Sequence, residues 1–136
     1  MLDRYFSEIF LAYCADTQQE PGRELALNLK QILDKKCTAD RFVLQSLRLG
    51  IATAGALARF FAQSVNNENP LYVLDLHENV IRDKGVQALI DELKNINTLS
   101  VLDLGSNDLG TESALKIAEL LKEPTCNVCY TLELHS

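Results

Sequence analysis

The sequence predicts an α/β fold: a right-handed solenoid with short parallel β-strands on its concave face and α-helices on its convex face. Three observations predict it. A stretch of sequence recurs at a fixed interval, each copy begins with the alternating pattern of a strand, and each copy continues with helical spacing of apolar residues. Since one strand and one helix cannot bury both of their apolar faces alone, neighbouring copies are expected to stack.

The segment from Leu71 to Leu121 contains the same pattern twice. Leucines at fixed spacing lead to an asparagine and a further aliphatic residue, and the second copy follows the first by 28 residues. The residues of the first copy are Leu71, Leu74, Leu76, Asn79 and Ile81, and those of the second copy are Leu99, Leu102, Leu104, Asn107 and Leu109. An isolated turn asparagine would not need to recur with its neighbours in this way.

The strand half of each copy has a period of two. Leu74 and Leu76 alternate with other residues and are expected to point into the core. Asn79 follows where the chain must leave the strand, where an Asn side chain can bond backbone groups that have no partner in a sheet. The predicted structural residues of the two repeats are Leu74, Leu76, Asn79, Leu102, Leu104 and Asn107.

The second half of each copy has apolar residues three and four positions apart, the spacing of one face of a helix. In the first copy these residues are Val86, Leu89, Ile90 and Leu93, and in the second they are Ala114, Ile117, Ala118 and Leu121. Each unit is therefore predicted to be one strand followed by one helix.

The spacing L-x-x-L-x-L-x-x-N-x-L/I resembles the signature of the leucine-rich repeat family, and the repeat length resembles its ribonuclease-inhibitor class. The resemblance implies a non-catalytic scaffold that binds a protein partner on its concave strand face, without a cofactor. A helical segment ahead of such repeats is similar to the arrangement in centrosomal, ciliary and flagellar leucine-rich repeat proteins.

Two helical patterns without the leucine signature precede the repeats. The first is predicted from about Leu2 to Cys14, and the second follows Pro21 and Gly22 and ends near Lys36. A solenoid exposes its first apolar layer unless something covers it. Residues 1–40 are therefore expected to form an N-terminal helical cap.

Residues 41–136 are expected to form the repeats: a degenerate unit at 41–70, full units at 71–98 and 99–128, and a partial unit at 129–136. In the degenerate unit Leu44, Leu47 and Leu49 match the leucine spacing, which places Leu47 and Leu49 on the strand and the asparagine position on Ala52. Terminal repeats are commonly atypical, so this departure is compatible with the repeat.

The residues beside the strand leucines should face outward and form the partner-binding surface. The predicted binding residues are Arg48, Val73, Asp75, His77, Val101, Asp103, Thr131, Glu133 and His135. Asp75, Asp103 and Glu133 would then form an acidic row that could dock a basic partner. The alternative is a solvated face without a binding role.

Composition and charge disfavour several other classes. The 136 residues are 47% hydrophobic and 24% charged, which is ordinary for a folded domain. The net charge is −6 and no run of Lys and Arg occurs, so nucleic acid is not an expected partner. No window approaches the roughly 20 apolar residues of a membrane span, so membrane insertion is not expected.

The N-terminus and the cysteines favour a cytoplasmic location. Asp3, Arg4 and Glu8 interrupt the apolar residues that a signal peptide would need. The four cysteines do not form the dense framework of a small secreted domain, so they are expected to be reduced thiols. The family resemblance adds association with the cytoskeleton as an expectation.

Candidate chemistry is sparse. Cys126-x-x-Cys129 has the spacing of a metal or redox pair, but no second pair of ligands lies nearby in sequence, and the repeat register places Cys129 in the core. No nucleophile, base and orienting acid converge. The prediction is that the protein has no catalytic site, no metal and no cofactor.

The leucine signature begins again at Cys129, Leu132 and Leu134, and the sequence stops at Ser136. The favoured expectation is that the chain is a fragment of a longer repeat array. The alternative is a structural assembly subunit, of cytoskeletal, centrosomal or flagellar type, that forms a homodimer through an open C-terminal strand edge.

Overall fold

The computed structural model describes residues 5–64, 70–124, 126 and 128. Within these residues, helices and strands alternate after an initial pair of helices. In chain order they are α1 (Phe6–Thr17), α2 (Arg23–Lys36), β1 (Arg41–Val43), α3 (Ile51–Ser64), β2 (Val73–Asp75), α4 (Arg82–Leu93), β3 (Val101–Asp103) and α5 (Thr111–Lys122).

The three strands form one parallel sheet in the order β1-β2-β3. Phe42 pairs with Leu74, and Leu74 pairs with Leu102, so equivalent residues of successive units lie side by side. Each connection between neighbouring strands contains one helix, as parallel pairing requires. The helices follow the same order, since α3 packs against α4 and α4 packs against α5.

The core lies between the sheet and the helices. Leu74 and Leu76 of the sheet are 0% exposed, and so are Leu89 and Ile90 of α4. The period-two pattern thus supplies one apolar layer and the helical pattern supplies the other.

Gly85 of α4 lies between the side chain of Ile81 and Ala54 of α3. A β-carbon added to it would lie 2.6 Å from Cγ2 of Ile81 and 3.2 Å from Cβ of Ala54. The equivalent residue of the next unit is Ser113, which is fully buried but has room for a hydroxyl. The glycine therefore reflects the close approach of the Ile81 side chain and of α3.

The two N-terminal helices pack on the first repeat unit, with α1 against α3 and α2 against both α1 and β1. Aromatic rings fill the junction: Tyr5 lies 5.2 Å from Phe60, and Phe42 lies 5.5 Å from Phe61 between ring centroids. The first helix ends at Thr17, later than the predicted end at Cys14. It ends there because the next residue, Gln18, adopts a left-handed conformation with φ 56°.

The predicted strand register of the first unit is wrong. The strand is Arg41–Val43, and Phe42 occupies the position that was assigned to Leu47. Leu44 is the second inward residue, and Leu47 lies where the next unit has Asn79. Phe42 stands where the next unit has its first strand leucine, and Leu47 stands where that unit has its asparagine. As a result, the leucines at 44, 47 and 49 match the repeat spacing in the wrong register.

The corrected register moves Arg48 off the sheet. This residue lies between β1 and α3, with φ 58°, at the position equivalent to Val80 and Asp108 of the next units. Arg48 is exposed, but it does not belong to the row of outward strand residues.

None of the helices in the described part of the chain combines the length and hydropathy that a membrane span requires.

Candidate functional site

The outward side chains of the three strands and of the residues directly after them form a continuous surface, here called the strand face. It consists of Arg41, Val43, Gln45, Val73, Asp75, His77, Val101 and Asp103, and it ends at the backbone of Gly105, which is buried. Parallel pairing aligns the six residues that belong to the strands in two rows: Arg41 with Val73 and Val101, and Val43 with Asp75 and Asp103. Backbone hydrogen bonds extend the alignment, since the Ser46 amide donates to His77 O at 3.1 Å and the Glu78 amide donates to Gly105 O at 2.9 Å.

The structure brings Asp75, His77, Val101 and Asp103 together on this face, each partly exposed. Val73 differs from its prediction because only 6% of its surface is exposed. It pairs with Arg41 on one side and Val101 on the other, and a residue of a central strand loses solvent to both neighbours. The predicted residues Thr131, Glu133 and His135 lie outside the described residues.

Sequence reasoning missed three residues of the strand face: Arg41, Val43 and Gln45. The leucine spacing predicts a strand in the first unit that is shifted by five residues, with Leu47 in the place of Phe42, and this shift excludes them. The signal that could have found them is the alternation of Phe42 and Leu44 with more exposed residues, directly before the turn.

Each of the two carboxylates of the strand face accepts a backbone hydrogen bond within its own unit and contacts a side chain of the preceding unit. The Oδ1 atom of Asp75 accepts the His77 amide at 3.0 Å, and Gln45 Nε2 donates to its Oδ2 atom. The Oδ1 atom of Asp103 accepts the Gly105 amide at 2.9 Å and lies 3.5 Å from His77 Nδ1. These contacts are a structural reason for aspartate at both positions, and the strand pattern alone does not reveal it.

Asn79 joins the second unit to the first. Its Oδ1 atom accepts the amides of Leu47 at 2.9 Å and Leu49 at 3.0 Å. Its Nδ2 atom donates to the carbonyls of Leu44 and Leu76, both at 2.8 Å. One buried side chain therefore satisfies backbone groups of two neighbouring turns.

Asn107 repeats this arrangement between the second and third units. Its Oδ1 atom accepts the Ile81 amide at 3.1 Å, and its Nδ2 atom donates to the carbonyls of Leu76 at 2.8 Å and Leu104 at 3.0 Å. The side chain is 0% exposed. The turns of successive units are thus fixed to each other by side-chain amides.

Asp16 and Asp83 each cap the N-terminus of a helix that packs against their own helix. Sequence reasoning missed both caps. Asp16 at the end of α1 accepts the Gly50 amide at 2.8 Å and the Thr53 amide at 2.7 Å, at the start of α3. A carboxylate at a helix N-terminus satisfies free amides and interacts favourably with the helix dipole. The cap by Asp16 therefore joins α1 to the first unit, although Asp16 and Gly50 are distant in sequence.

Asp83 at the start of α4 has the same role for α5. Its Oδ1 atom accepts the Gly110 amide at 2.9 Å, and the Ser113 hydroxyl also donates to it. The shared sequence signal is a glycine followed three residues later by Thr53 or Ser113. The aspartate itself cannot be found from this signal, because it lies in a different helix.

The cap by Asp83 predicts a pH-dependent stability. Hydrogen bonds from the Ser113 hydroxyl and the Gly110 amide hold the pKa of Asp83 below its ordinary value of 3.8. Because the folded-state pKa is the lower one, the cap stabilises the protein above the unfolded-state pKa, and this contribution is lost as pH falls through the folded-state pKa. The melting temperature of the natural protein should therefore drop more than that of Asp83→Asn between neutral pH and about pH 2.

A suitable control is Asp34→Asn, which removes an exposed carboxylate from α2. This variant should follow the natural protein through the whole pH range. Parallel melting curves for the natural protein and Asp83→Asn would contradict the capping role.

The described cysteines have the properties of structural thiols. Cys14, Cys37 and Cys126 are free, and burial raises the pKa of Cys37 to about 12. Burial also raises the pKa of Cys14. A thiol that stays protonated at neutral pH is a poor nucleophile and a poor metal ligand. Within the described residues no group of three or more His, Cys, Asp or Glu side chains could hold a metal ion, and Cys129 lies outside them.

Comparison with known families identifies the repeated segment. The sequence profile described as Leucine Rich repeat matches residues 69–89 and 95–118, which include β2 and β3. No curated protein matches the chain significantly. Leucine-rich repeat domains generally mediate protein–protein interactions and are typically non-catalytic. The two matches lie on units whose strands pair in parallel and whose asparagines join successive turns, and they show that this chain contains leucine-rich repeats at residues 69–89 and 95–118.

Proposed function

We propose that this chain is a non-catalytic module that binds a protein partner on its strand face. The observation that carries the proposal is the alignment of outward side chains from three parallel strands in one surface. A protein partner can contact all three units at once on such a surface. Backbone hydrogen bonds and the buried asparagines hold the strands in place, so little ordering would be needed on binding.

The composition of the strand face supports a partner with a mixed surface. Val43 and Val101 are partly exposed apolar residues, and Arg41 and Gln45 are exposed polar ones. An apolar patch with polar neighbours is typical of protein interfaces. We further propose that the partner contributes a basic side chain, since an ionised carboxylate such as Asp103 can accept more hydrogen bonds than it receives internally.

The proposed architecture is a right-handed solenoid of units 41–70, 71–98, 99–128 and 129–136, with residues 1–40 as its N-terminal cap. The contact of α1 with α3 and the aromatic cluster around Phe42 support the cap.

The free thiols support a reducing location, so we place the protein in the cytoplasm, with association to the cytoskeleton as the narrower proposal.

The test compares two variants that introduce the same charge on opposite sides of the molecule. Val101→Glu changes the strand face, and Leu115→Glu changes a side chain of α5 that is 64% exposed. Proteins captured from cell extract by the natural chain are identified by mass spectrometry, and affinities are then measured with the purified partner. Val101→Glu should weaken binding at least about tenfold, and Leu115→Glu should leave it unchanged.

Arg41→Glu is the second strand-face variant, because Arg41 is exposed and its replacement should not disturb the core. Circular dichroism and thermal melts check that all three variants are folded. Loss of binding with Leu115→Glu and retention with both strand-face variants would place the binding site on the helices and refute the proposal.

A further inference from the structure

We propose that His77 makes partner binding on the strand face dependent on pH. Its protonated imidazole pairs with Asp103, so a basic side chain of the partner binds that carboxylate less tightly at low pH. The proposal rests on the function proposed above and adds regulation to the same site.

His77 and Asp103 are in contact across two neighbouring units. The Nδ1 atom of His77 lies 3.5 Å from the Oδ1 atom of Asp103. The side chains are 36% and 24% exposed, so a partner on the strand face can reach both of them. A neutral imidazole adds no charge to this contact, whereas a protonated imidazole forms an ion pair with the carboxylate.

The backbone positions Asp103 for both interactions. Its Oδ1 atom, which lies beside His77, also accepts the Gly105 amide at 2.9 Å. Among the described residues, no donor is hydrogen-bonded to its Oδ2 atom. The carboxylate can therefore accept a hydrogen bond from a basic group of the partner while its other oxygen contacts the imidazole.

The other charged groups of the strand face set the sign of the effect. Asp75 precedes His77 by two residues, and its Oδ1 atom accepts the His77 amide at 3.0 Å. Gln45, at the equivalent position of the first unit, is uncharged, and Arg41 lies in the other row of strand positions. Protonation of His77 therefore reduces the negative charge that Asp75 and Asp103 present to a basic partner.

The loops beside the strand face also carry charges. Glu78 accepts a hydrogen bond from the Ser46 hydroxyl, Arg82 lies 3.7 Å from Asp108, and Arg48 is exposed. Carboxylates ordinarily titrate below about pH 5 and guanidinium groups above about pH 12. A change of binding between about pH 7 and about pH 5.5 therefore points to histidine.

The sequence allows this response to be assigned to one residue. The chain contains two histidines, His77 and His135, and the second lies outside the described residues. Replacing each by glutamine, which is polar and does not titrate, gives a test variant and its matched control. Thermal melts check that both variants are folded.

Nuclear magnetic resonance on the complete 136-residue chain tests the contact without a partner. As pH falls from about 7 to about 5.5, we expect the side-chain carboxyl carbon of Asp103 and the amide of Gly105 to shift together with the His77 ring. His135→Gln should keep this step, and His77→Gln should lose it. A step of the same size in His77→Gln would overturn the proposal.

A capped peptide of three arginines then supplies the basic side chains, and its affinity is measured from the same two signals. In the natural chain and in His135→Gln, binding should weaken about two- to fivefold from about pH 7 to about pH 5.5, the range expected for an exposed ion pair. In His77→Gln the affinity should be the same at both pH values.

The two proposals fail in different ways. An equal loss of affinity in His77→Gln would show that another group causes the pH dependence, and a peptide that does not shift the Asp103 signal at either pH would leave nothing for His77 to regulate. Either result overturns the role of His77. Neither touches the proposed function, which fails only if Val101→Glu and Arg41→Glu keep their affinity for the partner protein.

Discussion

Replacing Leu74 by alanine should lower the free energy of unfolding by about 2 to 5 kcal/mol. Leu74 is 0% exposed and pairs with Phe42 and Leu102 on the central strand of the sheet. Truncation removes buried methyl groups and leaves a cavity that three units line together, so local collapse cannot easily fill it. Urea denaturation followed by circular dichroism measures the loss.

Leu115→Ala is the matched control for this prediction. It makes the same chemical change at a side chain that is 64% exposed, so its effect should stay within about 0.5 kcal/mol. Equal losses for the two variants would mean that the inward register of β2 is wrong.

Replacing Asn79 by alanine should lower the free energy of unfolding by about 3 kcal/mol or more, although the substitution removes far less apolar contact than Leu74→Ala does. The substitution leaves the amides of Leu47 and Leu49 and the carbonyl of Leu44 without their side-chain partner, whereas the carbonyl of Leu76 keeps its hydrogen bond from Asn107. Each buried group that loses its partner costs about 1 to 3 kcal/mol unless water replaces it. Urea denaturation gives the total, and amide exchange at Leu47 and Leu49 identifies its origin.

Asn95→Ala serves as the control because Asn95 is exposed and follows α4 rather than a strand. Its replacement should change the unfolding free energy by less than about 0.5 kcal/mol. If the two asparagine variants were equally stable, the amide contacts between units would contribute nothing measurable.

The repeat and its family could be read from local patterns, and the family is confirmed. Leu74 and Leu76 alternate along a strand, the apolar residues of α4 follow helical spacing, and Asn79 marks the turn. These signals survive in a single sequence because each depends on residues a few positions apart. Their exact recurrence after 28 residues then predicts that successive strands pair side by side.

The first unit shows where this reasoning fails. Phe42 and Leu47 replace the expected leucine and asparagine, so the local pattern fits two strand registers. Only the pairing of Phe42 with Leu74 distinguishes them, and that pairing joins residues 32 positions apart. The same limitation concealed Arg41 as a member of the strand face and placed Arg48 there wrongly.

The sequence alone determined the leucine-rich repeat family, the alternation of strand and helix, and the inward leucines of the two full units. The tertiary structure decided the register of β1, the burial of Val73 between its neighbours, and the capping of α3 and α5 by Asp16 and Asp83. The physical reason is distance along the chain. Periodicity records how a residue relates to its own strand or helix, whereas a cap or a central-strand position depends on which other unit lies beside it.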